Sequence, residues 1–226
     1  MTPRRGIRNQ DTGRFSYIAP LDAVRWSLTF AIGSTLIAVL IGGSAGMALA
    51  RSRGRWLALV DGALMLPLGI PAIVLGLGFL LTFNSGWYDL RGSIWLVLIA
   101  HALIAYPFVL RAVLAVARSI DPHLPEAARL LGASPWRVFR HIELPILARA
   151  LLVGAVFAFV ISLGEFGATL LLRRQAFATV PIAIFEALGR PGGLGQALAM
   201  STLLMTVTAG AIWSIERFRF REIGEF

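Results

Sequence analysis

Asp121-Pro122-His123-Leu124-Pro125-Glu126-Ala127-Ala128-Arg129-Leu130-Leu131-Gly132-Ala133-Ser134-Pro135-Trp136-Arg137-Val138-Phe139-Arg140-His141-Ile142-Glu143-Leu144-Pro145 is a polar stretch between two long apolar ones. It spells the start of a helix twice. Asp121 offers a capping oxygen ahead of a proline, and a proline's missing N–H costs nothing in a first turn. Glu126 to Leu131 continue the helix, and Gly132 suits the turn that ends it. Ser134-Pro135 repeats the cap and the proline. The second short helix carries Trp136, Val138 and Phe139 among Arg137, Arg140 and His141, and Pro145 is expected to stop it. One reading is an ordinary connecting loop. The other is a docking element, because a loop this long, with two helix starts and apolar residues facing water, wants a partner. Ala127 and Ala128 allow close approach to a groove, and Trp136 is of the kind that anchors in one.

The flanks of this stretch decide what kind of molecule carries it. Of the 226 residues, 57% are hydrophobic and only 15% are charged, and the mean hydropathy is +0.76. A soluble domain of this size needs more polar surface. The apolar residues fall in blocks: Trp26 to Ala50, Gly62 to Tyr88, Gly92 to Leu110 and Pro191 to Ile215 carry no charge, and Ala150 to Leu172 only Glu165. A helix needs about 20 apolar residues to cross a bilayer. The sequence therefore predicts an all-α integral membrane protein with five spans, at about 24–50, 56–83, 93–116, 146–172 and 194–215.

Arginines orient these spans. Arg51, Arg53 and Arg55 crowd a short loop, and Arg118, Arg129, Arg137 and Arg140 crowd the stretch 118–145, so both belong in the cytoplasm. Arg217, Arg219 and Arg221 put the carboxyl terminus there too, and five spans then place the amino terminus outside. Arg4, Arg5, Arg8, Arg14 and Arg25 resist that placement; either other loops override them or a preceding span is missing from this chain. The expected organisation is an arginine-bearing arm at 1–20, a transmembrane domain at 21–217 and a tail at 218–226. No internal repeat is visible, so the chain holds one bundle. The arm has no apolar core and is not a signal peptide.

Composition excludes several chemistries. Without cysteine there is no disulfide, thiol catalysis or cysteine metal site. All 21 basic residues are arginine, and without lysine there is no phosphate-binding loop of the usual kind, so any ATP must be bound elsewhere. The net charge of +9 suits loops beside anionic lipid rather than nucleic acid.

Inside the spans, Gly42 to Gly46 form a stripe of small residues fit for close helix packing. Pro67 and Pro71 should bend or break the second span, as a packed kink or as a pathway-lining gate helix. Glu165 lies roughly 28 Å from the cytoplasmic end of the fourth span and His101 roughly 12 Å below the outer end of the third. Each is either pathway lining or a packed polar residue. Asp61 is expected to pair with an arginine such as Arg55, and Arg173 and Arg174 to act as snorkelling anchors or docking charges.

The segment from Glu126 resembles the signature of binding-protein-dependent ABC importer permeases. Glu126-Ala127-Ala128, Gly132, Ile142 and Leu144-Pro145 match that signature at every position. The resemblance covers about residues 21–217 and implies the type I importer fold: a five-span helical bundle with its amino end outside and a cytoplasmic coupling-helix loop. It implies that Glu126, Ala127, Ala128, Gly132, Trp136, Ile142, Leu144 and Pro145 dock an ATPase subunit, which binds the ATP and Mg. It implies a second permease bundle, copy or homologue, an extracytoplasmic solute-binding protein and a bacterial inner membrane. No catalytic or metal-binding residue is expected, and Glu165, His101, Pro67 and Pro71 are the pathway candidates. Ser162 to Thr169 and Arg190 to Gly193 resemble the branch for ferric iron, thiamine and oxyanions such as molybdate or sulfate. The rival readings are an ATP-independent channel or scaffold, which leaves the signature loop unexplained, and an intramembrane enzyme. The enzyme would need a motif that Glu165 and His101 do not form in sequence.

Overall fold

The computed structural model describes residues 19–52, 54–83, 90, 92–173 and 177–220. Most of the arginine-bearing arm, Arg53, Arg174 and the last six residues of the tail lie outside them. The described chain is helical: α1 (Pro20–Arg51), α2 (Leu57–Gly69), α3 (Ala72–Thr82), α4 (Ile94–Ser119), α5 (His123–Leu130), α6 (Pro135–Val138), a π-helical turn (Phe139–Glu143), α7 (Leu144–Gly164), α8 (Gly167–Leu172), α9 (Val180–Leu188) and α10 (Leu194–Phe220). Four helices are long and apolar enough to cross a membrane, and α2 and α3 together pass the same test as a bent pair, a broken span or a re-entrant loop.

α1, α4 and α7 form the packed centre. The small-residue stripe of α1 explains the approach to α4. A Cβ added at Gly42 would lie 2.5 Å from the carbonyl oxygen of Tyr106, and one added at Gly46 would lie 2.9 Å from that of Leu110. Helix backbones in such contact gain dispersion energy without an apolar driving force between them. Ala38, Tyr106, Val109, Leu110, Val113 and Leu147 fill the core here. α10 and α2 lie at the rim, and no residue of α2 is buried.

The second span breaks where the prolines direct. Ile70 precedes Pro71, and a residue before proline is pushed out of the helical region. Its ψ is 123°, which ends α2, and α3 leaves at 97° to it. Pro67 sits in the last turn of α2, half-buried. The Tyr106 hydroxyl donates to the Leu64 carbonyl at 2.6 Å and ties α2 to α4.

Three sequence expectations need correction, and one element is new. Pro145 does not stop a helix: α6, the π turn and α7 run on as one helix from Pro135 to Gly164. The π turn makes this possible, because the Leu144 N–H bonds back five residues to the Phe139 carbonyl and Pro145 enters in the first turn of α7. The fourth span is not continuous to Leu172; it breaks at Glu165–Phe166, between α7 and α8. Asp61 pairs with Arg111 of α4 at 3.1 Å and not with Arg55. Arg55 lies in the turn before α2, whereas α4 lies alongside the helix that bears Asp61. Helix α9 was not expected at all. Its start is Thr179-Val180-Pro181, and Ser27 of α1 accepts the Val180 N–H at 2.8 Å.

Candidate functional site

Two parts of the molecule carry the residues singled out from the sequence. The first is the loop between α4 and α7. Asp121 Oδ1 accepts the His123 N–H at 2.9 Å and starts α5. Gly132 ends it with φ of +83°, a left-handed conformation that suits glycine. Gly132 N–H bonds to Arg129 O at 2.9 Å and Ala133 N–H to Ala128 O at 3.0 Å, the paired closure of a Schellman turn. Ser134 then caps α6 by accepting the Arg137 N–H at 3.4 Å.

The loop stands at the same end as Arg51 and the carboxyl end of α4, because one cavity is bounded by Arg51, Ile120, Glu126 and Glu143. α5 and α6 have a buried root and an exposed tip. Val138 is buried, whereas Trp136 is 66% exposed and Leu130 and Leu131 are each 89% exposed. Trp136 stacks loosely on Phe139, with ring centroids 5.5 Å apart. Glu126, Ala127, Gly132 and Pro145 are exposed, and Ala128, Ile142 and Leu144 are half-buried. Leu130 and Leu131 are the residues the sequence reading passed over. Two leucines directly before the helix-ending glycine were the available signal.

The second part is a buried polar cluster at the break between α7 and α8. A helix that starts inside a membrane leaves amide hydrogens without acceptors. Glu165 supplies the acceptors: Oε1 takes the Ala168 N–H at 2.9 Å, and Oε2 takes the Thr169 N–H at 3.0 Å and the Thr169 hydroxyl at 2.8 Å. The Thr169 oxygen is then free to accept from His101 Nε2, 2.6 Å away, and the same nitrogen lies 3.3 Å from Glu165 Oε2. That accounting puts a hydrogen on Nε2. His101 Nδ1 meets Ser162 Oγ at 2.7 Å, and Ser162 meets Ser34 Oγ at 2.8 Å. One chain of polar groups thus joins α8, α4, α7 and α1.

His101 and Glu165, on different helices and without a shared sequence motif, are therefore partners. A serine, a histidine and a carboxylate in line also have the composition of a hydrolytic triad. The arrangement is not one: Ser162, His101 and Glu165 are 3%, 1% and 7% exposed, so no substrate reaches the serine, and the carboxylate is spent on α8. Neither His101 nor Glu165 lines an outer surface of this bundle. Among the described residues no three acidic or histidine side chains converge to hold a metal. Pro71 is exposed at the neighbouring break. Outside the cluster, α8 packs on α3 with glycine against backbone: a Cβ at Gly76 would lie 2.8 Å from Ala168 Cα, and one at Gly167 would lie 3.0 Å from Ile73 N. Arg173 ends α8 in an ion pair with Glu186 of α9 at 2.5 Å, so it is paired within the chain.

Glu165→Ala removes the acceptor of two buried amides and of the histidine. The expected loss of stability is about 1–3 kcal/mol for each group left unsatisfied. Glu165→Gln keeps one acceptor oxygen and is expected to lose less. Thermal unfolding of the purified protein in detergent reads the order: parent highest, Gln next, Ala lowest.

Residues 38–221 match the family model described as "Binding-protein-dependent transport system inner membrane component". The chain is 33% identical over 207 residues to the putative 2-aminoethylphosphonate transport system permease protein PhnV of Salmonella typhimurium, covering 90% of this chain and 76% of that one. It is 33% identical over 190 residues to the molybdenum transport system permease protein ModB of Haemophilus influenzae, covering 78% and 83%. In fold it is similar to the MetNI methionine ABC transporter, with a TM-score of 0.72 at 18% identity over 88% of this chain and 93% of that one. It is similar to the same degree, 0.72 and 18%, to a bacterial alginate ABC transporter, over 89% and 78%. Fold, signature and relatives agree, and the chain belongs to the binding-protein-dependent transport system inner-membrane components: it is a permease subunit of an ABC importer and not an enzyme.

Proposed function

We propose that α5 and α6 dock a separate ATPase subunit and that this chain forms half of the pathway for an oxyanion. The observation that carries the docking reading is the shape of the loop. Two short helices on a buried root hold apolar tips in water, where only a partner removes the cost. Glu126, Ala127, Ala128, Gly132, Trp136, Ile142, Leu144 and Pro145 belong to that surface or to its root, and Leu130 and Leu131 join its tip. ATP and Mg bind to the ATPase.

A single bundle offers one docking loop, and two ATPases closing on ATP need one each. A second bundle, a copy or a homologue, therefore completes the pathway. The bend at Ile70–Pro71 and the break at Glu165 are the gate elements, since the outer halves α3 and α8 pack on each other. Alternating access follows from rocking one bundle against the other. An extracytoplasmic solute-binding protein delivers the substrate.

Of the three substrate classes suggested by sequence, the relatives favour the oxyanion. A phosphonate is a tetrahedral oxyanion, and so is molybdenum in its aqueous oxidised form, molybdate. The solute-binding protein that delivers to this chain is expected to bind 2-aminoethylphosphonate, molybdate or sulfate in calorimetric titration. Binding of ferric ion or thiamine alone would refute the assignment.

The arginine pattern favours a cytoplasmic docking loop, an amino terminus outside and a carboxyl terminus inside. With cysteine at Ser16 or Gly224, an impermeant thiol reagent applied to intact cells is expected to label the first and not the second; the reverse pattern means that the arm dominates. Gly132→Val strains the left-handed turn whatever space surrounds it. It is expected to lower transport per ATP hydrolysed while the chain still inserts in the membrane. Full coupled transport by that variant would remove the docking assignment.

A further inference from the structure

The docking loop has to move something in the bundle, and its attachments are few. α5 packs mainly on α6 and the π turn. Toward the ends of α1 and α4 a cavity of about 420 Å³ intervenes, bounded by Arg51, Ile120, Glu126 and Glu143. A displaced α5 therefore reaches the bundle by packing through α6 and the π turn, besides the three residues 120–122 that join it to α4. A π turn is a wide, weakly bonded joint in an otherwise α-helical rod, the natural place for that rod to bend. If it bends there, the displacement goes no further.

Glu143 is the last residue of the joint, and its carboxylate is held by the Arg51 guanidinium. Arg51 is the last residue of α1. The Glu143 side chain is 9% exposed and that of Arg51 61%. A pair with one member in water adds little net stability, but a buried carboxylate stays directed at its partner. The far end of the joint is thus pinned to a second helix, 92 residues away in sequence.

That helix is well suited to carry a displacement. α1 is a single helix of 32 residues. Its glycine stripe seats on the backbone of α4 with no room for a Cβ. From Arg51 to Ser34 it spans roughly 25 Å at 1.5 Å per residue. Ser34 is the α1 member of the buried cluster, bonded to Ser162 and through it to His101, Glu165 and α8. We infer that Arg51 and Glu143 are positioning residues that fasten the docking loop to α1, and that α1 carries its displacement to the polar cluster and the α8–α3 pair. This rests on the reading of α5 and α6 as the ATPase-docking surface.

The test uses the assembled transporter, with cysteine-free ATPase subunits, in lipid nanodiscs. The chain has no cysteine. Leu81→Cys on α3, where the native side chain is 66% exposed, therefore takes one environment-sensitive fluorophore. ATP with vanadate is expected to change the emission of the parent. Arg51→Ala and Glu143→Gln are each expected to shrink that change at least about fivefold, the low end of two-site coupling, with the ATPase still bound. The exchanged pair, Arg51→Glu with Glu143→Arg, is expected to recover the response that each reversal alone loses. A merely structural pair would lower yield and unfolding temperature without altering the response of the molecules that assemble. The inference is overturned if Arg51→Ala complexes with bound ATPase respond as the parent does, if the exchange recovers nothing, or if the parent gives no ATP-dependent change. Failure of the docking reading looks different: Trp136→Glu would then leave the ATPase bound.

Discussion

A backbone amide inside a bilayer must find an acceptor, and a helix that restarts there has several to satisfy. Much of this bundle answers that demand at Gly167. The carboxylate of Glu165 accepts two amides and a hydroxyl of α8. A carboxylate so placed needs partners, and His101 approaches it. The histidine in turn needs a group on its other nitrogen, which is Ser162, and Ser162 is met by Ser34. Four helices are drawn together by one break. Once capped, α8 presents Gly167 and Ala168 to α3, and the helix after the proline break packs there.

The two breaks are made by different means. The one in the second span is steric: proline forces Ile70 to extend and needs no polar partner. The one in the fourth span is polar, and without its carboxylate and histidine nothing on α8 itself would compensate the exposed amides. The first break is therefore a property of two residues, whereas the second is a property of four helices.

This difference sets what the sequence reveals. The apolar blocks, the proline break and the cap–proline starts of α5 and α6 are local, and they are legible residue by residue. Gly132 was legible because a helix that ends before Ser134-Pro135 needs a left-handed residue. The join of α6 to α7 was not, because a proline normally stops a helix and only the π turn at Phe139–Glu143 carries the chain through. The meeting of His101 with Glu165 was hidden for another reason. They are 64 positions apart on separate helices, and only the packing of α4 on α7 brings them together. Asp61 chose Arg111 over Arg55 by the same non-local geometry. Leu130 and Leu131 were in plain view, but apolar residues in an apolar chain draw no notice until their exposure is known.

The π turn also sets an angular phase. Each residue in an α-helix rotates the chain by about 100°, and the π turn has already taken up its extra residue, so one more gained between Arg137 and Phe139 would swing the start of α6 around the axis of α7 by that amount. Trp136 would then point in another direction, although the Ser134 cap on Arg137 survived. The nine residues between Gly132 and Ile142 are in this sense a measure of azimuth rather than of distance. Substitutions at those positions are read by chemistry, but an insertion there is read as rotation of the exposed loop against the bundle.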